Sequence, residues 1–124
     1  MNIWLWVLQS VLAAVFAAAG LYKLLAPRAA LADNLGDWVN AVPAPVVKSL
    51  GLVEALGAIG LIAPAITGIA PILTPIAAVG VGVVMMGAIA VHARRGEYVQ
   101  IEGNFVLAVM AVAVAWGRFG PYAF

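Results

Sequence analysis

Four long apolar runs constrain this chain more than any other feature. They extend over about Ile3–Leu25, Val46–Ile66, Ile72–Ala93 and Val99–Arg118. A helix rises about 1.5 Å per residue, so roughly 20 apolar residues match the hydrocarbon core of a bilayer. No water reaches that core, and only a helix or a closed barrel satisfies its own backbone there. The runs predict an all-α membrane protein: a four-helix transmembrane bundle forming one domain over residues 1–124. Composition agrees. Of 124 residues, 66% are hydrophobic and 9% charged, against about 25% charged in soluble domains.

Several function classes fall away at once. The chain has no cysteine, which removes disulfides, thiol redox chemistry and iron–sulfur or zinc–thiolate sites. A net charge of +1 with no basic tract gives nothing to follow a phosphate backbone, so no nucleic-acid partner is expected. No phosphate-cradling glycine loop is present. Neither Ser10 nor Ser49 has a histidine or carboxylate beside it in sequence, so Ser, His and Asp catalysis is poorly supported and no catalytic residue is assigned. The first run could imitate a secretory signal around Ala17-Ala18-Ala19. It lacks a basic flank and is longer than the about 7–15 residues of such segments, so it is read as a retained span.

Charge sets an expected orientation. Lys23, Arg28, Lys48, Arg94 and Arg95 lie at the ends of the first and third loops, whereas only Arg118 lies on the terminal side. The positive-inside rule then puts those loops in the cytoplasm and both termini outside, in an inner (plasma) membrane. Aromatic residues fit two interfacial belts: Trp4, Trp6, Trp116, Phe119 and Tyr122 outside, Tyr22, Trp38 and Tyr98 inside. The connection over residues 26–45 is more than a linker. Leu31, Leu35, Trp38, Val39 and Val42 recur at helical spacing, with Asp33, Asn34, Asp37 and Asn40 between them. This predicts a short interfacial helix with its apolar face toward the membrane. Gly36 weakens that helix, and the competing reading is a loop packed on the bundle end.

The remaining polar residues are few, and their depth is informative. Glu54 lies about 12 Å inside its span. Lys23 is near the end of the first span on the same side, and helical side chains tilt toward the N-terminus, so it points back toward Glu54. His92 closes the third span there, and Glu102 and Asn104 open the fourth. All four spans thus contribute a polar group to one leaflet. Charges in lipid normally face inward and pair. The expected pairs are Lys23 with Glu54, and His92 with Glu54, Glu102 or Asn104. A metal site is not expected from one histidine and scattered carboxylates. Three readings of the cluster compete: a structural latch, a pocket for the head of a quinone or isoprenoid lipid, and a proton relay or small transport site. Small residues such as Ala13, Gly57, Gly60, Ala78 and Gly82 allow close helix packing, within the bundle or in a homodimer.

Read in order, AGLYKLLAP (19–27), VEALGAIGLIAP (53–64), ILTPIAAVGVGVVMMGAIAVHARRGE (72–97), GN (103–104) and WGRFGP (116–121) resemble the DoxX-like family of small four-span membrane proteins. The family's Lys, Glu, His and Asn elements fall on Lys23, Glu54, His92 and Asn104. The resemblance implies association with redox enzymes, one member type being a membrane subunit linked to thiosulfate–quinone oxidoreductase. It also extends to the nicotinic-receptor chaperone NACHO. The expected function is a non-catalytic subunit, not an enzyme by itself, that binds membrane lipid, namely a quinone or isoprenoid lipid. Its site would be Lys23, Glu54, His92, Asn104 and Glu102, with Tyr22 and Trp38 at the mouth. The alternatives are a scaffold or assembly factor for a membrane-associated redox enzyme, and a small proton-coupled exporter.

Overall fold

A computed structural model describes residues 3–124, which form six helices and, among the described residues, no strand. Four are long and apolar enough to cross a membrane: α1 (Ile3–Leu25), α4 (Ala44–Thr67), α5 (Leu73–Arg94) and α6 (Tyr98–Phe119). The short α2 (Arg28–Leu35) and α3 (Trp38–Ala41) occupy the first connection. The chain therefore forms the all-α four-span bundle that its apolar runs predict. Residues 68–72 and 95–97 are the only links after α4 and α5, so short that neighbouring spans must run antiparallel. Helix α1 packs mainly on α4 and α5 mainly on α6. The α4–α5 contact joins the two pairs, and a thinner α1–α6 contact closes the ring.

Leu12, Phe16, Leu61, Val81, Ala111 and Val114 fill the interior. Lipid is as apolar as they are, so close backbone approach carries much of the helix association. The α1–α4 crossing shows this best. A Cβ on Gly20 would sit 2.6 Å from the Gly51 carbonyl oxygen, and one on Gly51 would sit 2.8 Å from both the Gly20 oxygen and Lys23 Cβ. Only hydrogen fits at either position. On the other side of α4, a Cβ on Gly60 would come within 2.8 Å of Ala77.

Pro64 lies inside α4. Having no N–H, it leaves the Gly60 carbonyl without its helical partner. Thr74 Oγ1 of α5 donates to that carbonyl at 3.1 Å, the kind of side-chain repair that lets proline persist in a membrane helix. Gly68, at φ 70°, ends α4 and donates its N–H to the Pro64 carbonyl at 3.0 Å.

The connection between α1 and α4 corrects the sequence reading. One interfacial helix is expected, and two short ones form. Gly36 adopts φ 119°, a left-handed value that ends α2 and turns the chain into α3. Leu31 and Val39 are buried against Val47, with Tyr22, Ala26 and Trp38 around them. The apolar residues of the segment are thus spent on the end of the bundle. Arg28 Nη2 donates to the Val39 and Val42 carbonyls at 3.1 and 2.5 Å, tying α2 to the end of α3. Lys48 Nζ donates to the Leu24 carbonyl at 3.0 Å, capping α1 from the side.

Candidate functional site

The glycine crossing of α1 and α4 positions the central pair of the site. Lys23 follows Gly20 by three residues, and Glu54 follows Gly51 by three. That spacing keeps each charged group on the face that its glycine brings close. Lys23 Nζ donates to Glu54 Oε1 at 2.6 Å, with the Glu54 side chain 3% exposed and Lys23 12%. Both side chains tilt toward their own helix N-termini, which in antiparallel helices brings the two heads together. The pair bears on one oxygen of the carboxylate. Among the described residues, Glu54 Oε2 has no recorded partner, and neither do the remaining protons on Lys23 Nζ.

These two residues form part of the wall of a cavity of about 590 Å³. Helices α4 and α5 make its sides, through residues such as Leu50, Val84, Ala88 and Val91. Trp38, Leu35 and Asn34 of the short helices cover it, and Gln100 and Asn104 of α6 complete the polar wall. The lining mixes these polar groups with hydrocarbon. Its net formal charge is close to zero, because Lys23 and Glu54 oppose each other. The Gln100 and Asn104 amides make no side-chain hydrogen bond among the described residues. They present donors and acceptors together.

Of the predicted site residues, Lys23, Glu54, His92, Asn104 and Trp38 border this cavity. Two do not. Glu102 is exposed and points away from it. The reason is angular: Gln100 and Asn104 are four residues apart and share a face of α6, whereas Glu102 falls opposite. Tyr22 stands behind the lining. Its hydroxyl donates to the Ala30 carbonyl at 3.3 Å and accepts from Asn34 Nδ2 at 2.6 Å, so it holds α2 in place.

His92 also differs from expectation in its partner. Nδ1 lies 3.1 Å from Glu97 Oε1, and no hydrogen bond to Glu54, Glu102 or Asn104 forms. Gly96, at φ 72°, turns the chain back so that the Glu97 N–H bonds the His92 carbonyl at 2.8 Å. Glu97 also accepts from Arg95 Nε at 3.1 Å, and Arg95 Nη2 reaches Asp37 at 3.5 Å. This chain of charges links the α5–α6 turn to the cover. The Trp38 ring meets His92 edge-on, with centroids 6.2 Å apart. The described residues contain no cluster of three or more His, Asp or Glu groups able to hold a metal ion.

A second polar knot lies at the opposite end of the bundle, and sequence reasoning missed it. Arg118 is 4% exposed. Its Nε donates to Gln9 Oε1 at 2.6 Å and its Nη1 to the Tyr122 carbonyl at 2.9 Å. Gln9 Nε2 in turn donates to the Leu61 carbonyl at 2.9 Å. The guanidinium sits 4.1 Å from the Phe124 ring centroid and 5.4 Å from that of Trp6. The knot joins α1, α4 and α6.

The DoxX-like family model matches this chain over residues 7–114. The chain belongs to the DoxX-like family. No curated protein and no solved structure matches it. Membership and the four apolar spans together make this DoxX-like protein a multi-pass integral membrane protein.

Proposed function

We propose that this DoxX-like protein binds the head of a quinone or isoprenoid lipid in the cavity beside Lys23 and Glu54, and serves as a non-catalytic membrane subunit. One observation carries the reading. A buried ion pair that only latched helices would be fully enclosed by protein. Here it borders about 590 Å³ of space with hydrogen-bonding capacity to spare.

The charge balance selects the kind of head. A phosphate would have to draw Lys23 away from Glu54 and leave a carboxylate unpaired in a low-dielectric site. A carbonyl or hydroxyl head needs no such exchange. It can accept from Lys23 or Asn104 and, as an alcohol or quinol, donate to Glu54 Oε2. Under the proposed orientation this head lies toward the cytoplasmic leaflet.

Native mass spectrometry of protein released from its own membrane tests the reading. The expected spectrum carries a quinone or isoprenoid mass in addition to bulk phospholipid. A spectrum with phospholipid alone, joined to no binding of added quinone or of the isoprenoid alcohol farnesol, removes it.

A further inference from the structure

We infer that the tail of the bound lipid lies in the groove between α4 and α5, running from the polar cavity toward the α4–α5 turn. This rests on the binding reading above and adds to it a path, a direction and the residue that keeps the path open.

The groove has a volume of about 330 Å³ and shares Glu54 and Val84 with the polar cavity. Beyond that shared end its lining is hydrocarbon and glycine, past Gly57 and Gly60 of α4 and Ala77 and Gly80 of α5. From Glu54 to Gly60 the path advances about 9 Å along the helix. A molecule with its head beside Glu54 therefore meets the mouth of an apolar channel where its own polarity ends.

The glycines divide the labour. Gly57 and Gly60 form the floor, where a Cβ would press on Val81 at 3.0 Å and on Ala77 at 2.8 Å. They hold the helices together. Gly80 has nothing within 4 Å of where its Cβ would be. The groove is open there because α5 has no side chain to fill it, and helix packing does not require the absence.

A larger recess of about 620 Å³ lies between α5 and α6, bounded by Ala78, Gly82 and Ala111 among others. It shares no lining residue with the polar cavity, so a head held at Glu54 does not lead into it. Bilayer hydrocarbon is as apolar as either surface, so transfer alone favours neither. The anchored head chooses the path, and dispersion contacts with the groove walls add to it.

The test uses farnesol with a diazirine at the far end of its tail, added to full-length protein in phosphatidylcholine nanodiscs. Adducts are mapped by peptide mass spectrometry, with excess unlabelled farnesol as competitor. The expected adducts are competable and fall on residues 56–60 and 76–81. Gly80→Leu, which adds a branched side chain to the groove wall at a position where a Cβ meets nothing within 4 Å, should cut them by roughly tenfold. The variant's thermal unfolding is measured alongside and should match the parent. Competable adducts on the α5–α6 recess, or adducts unchanged by Gly80→Leu, overturn the tail path while the head site stands. No competable adduct anywhere overturns both.

Discussion

At the residue scale, the Lys23–Glu54 pair shows how few charges a membrane fold tolerates and how closely it arranges them. Their depth in the sequence was enough to pair them, because a lone charge in lipid demands a partner. Replacing one member strands the other. Lys23→Met should lower stability by about 3–5 kcal/mol in mixed-micelle unfolding, and Lys23→Met with Glu54→Leu should recover most of that loss. Equal losses in the single and double variants would contradict the pairing account. Gln9 and Arg118 were not legible in the same way. They stand 109 residues apart and meet only once α1 and α6 close the ring. Arg118 at the end of an apolar span reads as a topology signal, yet it is buried. A double-mutant cycle with Gln9→Leu and Arg118→Met should return a coupling of about 1–3 kcal/mol. The Glu97 partner of His92 was hidden for another reason. Glu97 reads as a loop residue until Gly96 folds it back.

At the element scale, glycine and proline positions explain more than hydrophobic pattern does. All four spans are apolar around most of their circumference, so periodicity says little about which face is inside. The Gly20–Gly51 crossing supplies that information. Gly51→Ala places a methyl group 2.8 Å from the Gly20 oxygen and Lys23 Cβ, which must part α1 from α4 at the level of the ion pair. The expected result is a loss of roughly 1–3 kcal/mol in the same unfolding assay, the usual range for overpacking. Pro64 is a comparable case. Thr74→Val removes the donor that satisfies the Gly60 carbonyl, at an expected cost of about 1–3 kcal/mol. The cover over the cavity was half legible. Its helical spacing was visible, but Gly36 breaks it in two, and only the three-dimensional packing of Leu31, Val39 and Val47 shows which surface it covers. On α6, the spacing of Gln100 and Asn104 was the available signal for the polar wall. Glu102 drew attention by its charge and lies on the opposite face.

At the scale of the whole molecule, the bundle is polar at both ends in different ways. One end closes on a packed knot of Arg118, Gln9 and aromatic rings. The other encloses space beside a charged pair. The proposed orientation rests on loop charge alone and is open to direct measurement. The chain has no cysteine, so single cysteines report without background. Ile69→Cys, on the α4–α5 turn, should react with an impermeant maleimide on intact cells. Asp33→Cys, on the cover, should react only after permeabilisation. The reverse pattern would invert the topology and move the cavity to the other leaflet.

The measurement closest to the central claim compares farnesol and quinone binding by the parent chain and by Gly87→Leu in nanodiscs. Gly87 borders the polar cavity and has nothing within 4 Å of its Cβ position, so a leucine there starts from open space and takes up part of the cavity. Leucine also suits a helix better than glycine by about 0.5–1 kcal/mol, so folding is not at risk. The predicted result is saturable binding by the parent and at least a roughly tenfold loss in the variant, with the variant no less resistant to unfolding than the parent. Equal binding by the two chains, or none by either, would contradict the account and leave Lys23 and Glu54 as a latch.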